Sequence, residues 1–194
     1  MVNETLIIDR SSPQTLIAFA GETLTIDGRD DTWVAQLKAF LAGRQPKALA
    51  VGLGPGSFAG IRAAIACLQG LGIVWGLQPV GFPSAAIYAY ASERKDVTII
   101  GDARRNTLWS IQYHVDETGI TAKGAFRLLK RATFQPDETM VSPDAGRLAC
   151  FNLPETTIKA SDLAPTLARL VTPLTPDPLP IYLHPAVGAA HAEG

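Results

Sequence analysis

The chain has 194 residues, 47% of them apolar, with 17 Lys and Arg against 18 Asp and Glu. That is apolar material for one large or two small cores without staples, and the formal charge of −1 excludes a global basic field that would hold nucleic acid by its phosphates. Cys67 and Cys150 lie far apart and read as reduced core thiols, and the amino terminus has neither the basic region nor the apolar stretch of a secretory signal, so a cytoplasmic chain without a membrane span is expected.

Thr5 to Ile8 is a β-type run ending in Asp9; Arg10 to Pro13 is turn chemistry, and Thr15 to Ala20 resumes strand formers, which predicts a hairpin. Glu22 to Ile26 alternates polar and apolar as a half-exposed third strand does. Asp30 or Asp31 can cap a helix over Thr32 to Ala42, where Trp33, Val34, Leu37, Phe40 and Leu41 recur at helical spacing. Ala48 to Val51 is a wholly apolar fourth strand. Gly52, Gly54, Pro55, Gly56 and Gly60 then demand an irregular turn, Ser57 is placed as an N-cap, and Phe58 to Trp75 continues as a helix without internal proline. Pro79 to Gly81 leads a fifth strand into a helix from Ser84 to about Ser92, so the expected order is βββαβαβα.

The pattern restarts after Asp96. Ile99 to Asp102, a turn, and Thr107 to Trp109 repeat the length and acidic position of the first hairpin, which sets a boundary near residue 95 and divides the chain into lobes 1–95 and 96–194. Ile120 to Arg131 reads as strand then helix, with Lys123, Arg127, Lys130 and Arg131 on one face of that helix. From Pro173 the prolines imply an extended, packed-down segment, and residues 186–194 read as a loose tail.

A glycine loop before a helix invites a phosphate-binding reading. It lacks the lysine of a P-loop, since Ser57 and Phe58 follow Gly56, and its glycine spacing is not that of a dinucleotide fingerprint. A tight turn holding helix against sheet is the plainer reading. Asp9 and Asp102 stand where actin-like phosphotransferases carry metal-coordinating carboxylates, but no glycine follows either one, and both turns read as solvated. His114, His184 and His191 have no metal-ligand spacing, so no metal, cofactor or catalytic residue is expected. The long helix carries one apolar stripe of Ile61, Ile65, Leu68, Leu71 and Trp75 and a second of small residues, Ala63, Ala66, Cys67 and Gly70. Such a helix should be covered twice, by its sheet and by a second helix from its own chain or from another.

Val51 to Arg62, with Gly70, Pro79 to Gly81 and Ser84, resembles the signature of the TsaB (YeaZ) family, as do Leu6 to Asp9, Asp102 to Arg104 and Pro180 to Leu183. The resemblance implies an α/β, actin-like (ribonuclease-H-type, ASKHA) fold of two lobes, with a mixed five-stranded sheet in the first. It also implies a non-catalytic subunit. TsaB-like proteins pair with TsaD, which transfers threonylcarbamoyl to the adenosine beside the tRNA anticodon; the ATPase TsaE joins the assembly, and tRNA is met only indirectly. The pairing uses a bundle of the first two helices, which maps the interface to Trp33, Leu37, Leu41, Ile61, Ala64, Ile65, Cys67, Leu68 and Leu71, with Arg62 closing the glycine loop; a homodimer through the same helices is the alternative. Leu53 stands where the family usually has arginine and Ala59 where it has threonine, and the second lobe is short. The runner-up function is a stand-alone actin-like ATPase or kinase using Asp9, Asp102 and the loop.

Overall fold

The computed structural model describes residues 2–184. The first hairpin and its third strand form as the alternation predicts: β1 (Thr5–Asp9), β2 (Gln14–Phe19) and β3 (Glu22–Asp27), followed by α1 (Trp33–Leu41), β4 (Ala48–Gly52), α2 (Phe58–Trp75), β5 (Pro79–Phe82) and α3 (Ala85–Ala91). The second half opens with β6 (Asp96–Arg104) and β7 (Thr107–Asp116), the repeat of the first hairpin, and continues through β8 (Gly119–Ala122), β9 (Arg127–Lys130) and β10 (Met140–Val141). It ends with α4 (Leu163–Arg169) and β11 (Thr175–Pro176).

The first sheet has six strands rather than the expected five, in the order β11-β5-β4-β1-β2-β3. β1 pairs parallel with β4 and antiparallel with β2, so the mixed character arises at the centre of the sheet. The sixth strand comes from the far end of the chain, because the proline-rich segment returns to lay Thr175 and Pro176 against Gly81 and Val80. Pro176 has no N–H to donate, which suits it to an edge strand. The second sheet runs β10-β6-β7-β8, with β9 on β7.

A second difference concerns residues 123–131. Arg127 to Lys130 is a strand paired with Thr107 to Ser110, and Arg131 begins a 3-10 turn. Lys123, Arg127, Lys130 and Arg131 therefore share no helix face. The segment is rich in helix formers, but the backbone of β7 beyond β8 offers an unpaired ladder, and non-local pairing outweighs local propensity.

Side chains alternate across β1 and β2. Leu6, Ile8, Ile17 and Phe19 point to the layer of α1 and α2, whereas Ile7, Leu16 and Ala18 point to the layer that holds α3. On that inner side a single core joins the lobes: Ala85, Ala86, Ile87 and Ala89 of α3 pack with Ile99, Trp109 and Tyr113 of the second sheet and with Leu163 of α4. The small residues of α3 let two sheets approach one helix closely.

Candidate functional site

Asp9, at the end of β1, is fully buried. Its Oδ1 accepts from the backbone N–H of Ser11 at 2.9 Å and from the Ser11 hydroxyl at 2.7 Å, and its Oδ2 accepts from the Ser84 hydroxyl. Ser84 Oγ in turn accepts from Gly54 N–H at 2.9 Å, so the carboxyl is wired through one serine to the glycine loop. Burial pushes the Asp9 carboxyl up, against the lowering effect of the Ser84 and Ser11 hydrogen bonds.

The glycines are explained by this closeness. A Cβ at Gly52 would collide with Asp9 Oδ2 and lie 2.6 Å from Ser84 Oγ. Gly54 has φ 88°, a left-handed value, and a Cβ there would lie 2.6 Å from Cδ1 of Ile61. Gly56 and Gly60 face the carbonyls of Ser11 and Arg10 at distances no side chain could share. The Ser57 N–H donates to Ser11 O at 2.7 Å, and the Ser57 hydroxyl caps α2 by accepting from Gly60 N–H at 3.3 Å, as its position predicts. The loop is thus packed on the chain's own first turn.

That turn is not solvated as expected. Arg10 is 7% exposed: its Nη2 donates to Gly28 O at 2.9 Å, and its guanidinium lies 4.3 Å over the ring of Trp33. Ser11 is buried as well. The arginine lies where a solvated turn residue was expected because α1 supplies an aromatic face for the cation. Asp102, in β6, is half-buried and takes Arg104 at 3.5 Å, while its N–H donates to Asp144 Oδ2 at 3.0 Å. Among the described residues no group of three or more His, Cys, Asp or Glu is placed to hold a metal. His191 lies outside the described residues, as does the tail.

Above the loop, α2 presents two unlike faces. Ile61, Ala64, Ile65 and Leu68 are buried on the sheet with Trp33, Leu37 and Leu41 of α1, so these seven residues expected at a partner interface lie in the core of this chain. Cys67 and Leu71 are half-buried along the edge of that core. The other face is open: Ala59, Arg62, Ala66 and Gly70 are exposed, and Ile73 and Val74 are 85% and 76% exposed. Among the described residues, nothing beyond its chain neighbours and the helix's own backbone lies within 4 Å of where a Gly70 Cβ would sit. The expected second cover is therefore not supplied from within the described residues. By length and composition alone α2 would also pass for a membrane span, a property it shares with core helices of soluble folds.

The model of the family described as TsaD, tRNA N6-adenosine threonylcarbamoyltransferase, matches residues 35–163, more than half of the chain. The chain belongs to the TsaD family. Two solved structures from Pseudomonas aeruginosa have the same fold. One is described as an uncharacterized protein with similarity to peptidase YeaZ; at TM-score 0.71 and 20% identity it covers 93% of this chain and 99% of its own. The other is YeaZ, with TM-score 0.71 and 20% identity, covering 92% and 99%. No curated protein sequence matches. The TsaB (YeaZ) resemblance and the actin-like two-lobe architecture stand on these findings.

Within this TsaD-family chain, the sequence located the glycine loop, the cap and the helix that follows. It did not locate the buried Arg10 on Trp33, whose only signal was an arginine between Asp9 and the serines. Nor did it show that Ser84 joins Asp9 to the loop, a contact made 75 residues away in sequence.

Proposed function

We propose that this chain is a non-catalytic subunit that binds a TsaD-like partner and supports threonylcarbamoyl transfer to the adenosine beside the tRNA anticodon. One observation carries the reading: the open face of α2. Ala59, Ala66 and Gly70 leave a shallow lane along the helix, and Ile73 and Val74 stand beside it in water. A lane of small residues lets a second helix approach to backbone contact, and covering two such aliphatic side chains is worth about 3 kcal/mol or more to a partner. The family relationship supports a role in tRNA threonylcarbamoylation. A TsaE-like ATPase joins through the assembly, tRNA is met chiefly through the partner, and two copies of the chain compete for the same face when the partner is absent.

A stand-alone ATPase has less support. Asp9 is enclosed by Ser11 and Ser84, and the Gly54 and Ser57 amides are engaged by the chain itself. Tight magnesium-dependent ATP binding in a titration would favour that alternative.

The test is to mix the purified chain with TsaD of the same organism and follow complex formation by size exclusion. Ala66→Glu places a charge in the lane without entering the core, so it should abolish association while the melting temperature holds. Absence of association by the unaltered chain at micromolar concentrations overturns the reading.

A further inference from the structure

A line of contacts leads away from the first turn of α2. Phe58, the first residue of the helix, is 50% exposed, and the Arg62 guanidinium lies 5.3 Å over its ring. Tyr182, 63% exposed, stands 5.9 Å from the same ring, held there because the N–H of Ile181 donates to Leu53 O at 3.0 Å. Two residues on, His184 reaches the second lobe, its Nε2 lying 2.9 Å from Ala103 O beside the β6–β7 turn. That turn is Arg104, Arg105 and Asn106, all exposed and all at left-handed φ, which thrusts the arginines outward. Asn106 O accepts from Arg131 N–H at 3.0 Å, Lys130 is the register partner of Thr107, and Arg131 Nη2 donates to Arg147 O at 2.9 Å. The contacts make one band across both lobes.

The charge of the band is one-sided. Arg104 shares its cation with Asp102 at 3.5 Å. Arg62, Arg105, Lys130, Arg131 and Arg147 have no carboxylate within salt-bridge distance among the described residues. Five unneutralised cations of a chain of net charge −1 thus adjoin a band that begins at two exposed aromatic rings. Cations alone would suit any polyanion. Exposed rings with an arginine over one of them add a stacking platform, which an acidic polypeptide cannot use and an unpaired nucleobase can.

The geometry points to this band as a binding site for single-stranded RNA, with bases on Phe58 and Tyr182 and the backbone on the arginines of the β6–β7 turn and its neighbours. The site shares Arg62 with the open face of α2 and otherwise lies on Phe58, Tyr182 and the second lobe, and it assigns the chain a direct contact with RNA beside the partner lane.

Fluorescence anisotropy of the full chain alone, with a labelled single-stranded oligouridylate, a perfect RNA duplex and polyglutamate, tests it. The oligouridylate should bind more tightly than either rival. Its log affinity should fall with log salt with a slope no steeper than about 3.5, the limit for five cations on a single strand. Arg105→Ala and Lys130→Ala should each lower that slope by about 0.7. Tyr182→Ala should weaken binding roughly 5- to 150-fold with the slope unchanged, and Tyr182→Phe should restore it. All three side chains are exposed, so loss of fold is checked by an unchanged melting curve. Equal binding of polyglutamate, preference for the duplex, or indifference to Tyr182→Ala overturns the proposal, as does absence of binding at low salt.

Discussion

Two carboxyls in this molecule titrate in opposite senses, and each makes a prediction. Asp9 is held above its ordinary 3.8 by burial, so it takes up protons more readily folded than unfolded. Its contribution to stability is full in acid and is lost as pH rises through its folded value. Asp9→Asn keeps an acceptor for the Ser11 N–H and hydroxyl and a partner for Ser84 without a buried charge. It should match or slightly exceed the parent near neutral pH and lack this acid-favouring slope. Asp9→Ala orphans three donors and should cost about 1–3 kcal/mol. Urea unfolding at several pH values separates the two. Asp116 is the reverse: the Thr118 hydroxyl and amide hold its carboxyl down to about 2, so its contribution is present above 3.8 and is lost as pH falls through about 2.

At the scale of the element, α2 shows what a single chain can and cannot reveal. Ser57, Ile61, Ile65 and Leu68 declare the cap and the buried stripe because local capping and 3.6-residue periodicity are written in the segment itself. Whether Ile73 and Val74 are covered depends on what packs there, which no local pattern carries. The same holds for β9, whose helix-forming residues pair with β7, and for Thr175 and Pro176, whose place at the sheet edge depends on a turn of the chain far from β5. Substitutions on α2 should divide accordingly. A charge at Ala64, which is fully buried, should unfold the first lobe rather than merely block a partner. Gly70 has open space around it, so Gly70→Ala should raise stability by about 1 kcal/mol through helix propensity while narrowing the lane and weakening partner binding. Thermal unfolding and a binding titration on the same variant would show the two effects with opposite sign.

For the whole molecule, the question is what makes two lobes one unit. The core around α3 is shared by both sheets, and the segment from Pro173 to His184 straps the outside: β11 edges β5, Ile181 packs with the α1–α2 core, and Leu183 packs with the inter-sheet core. Because removing the strap takes only Leu183 from the shared core around α3, a chain ending at Thr172 should still unfold in a single transition. It should do so with stability lowered by about 2–4 kcal/mol, from lost aliphatic burial and the hydrogen bonds at Leu53 and β5. The bared edge of β5 then offers unpaired backbone to other chains. The truncated protein should therefore lose amide-exchange protection at Gly81 and associate with rising concentration. Retained protection of Gly81 would show that β11 is not what covers that edge, and two separate transitions would show that the strap, and not the shared α3 core, couples the lobes.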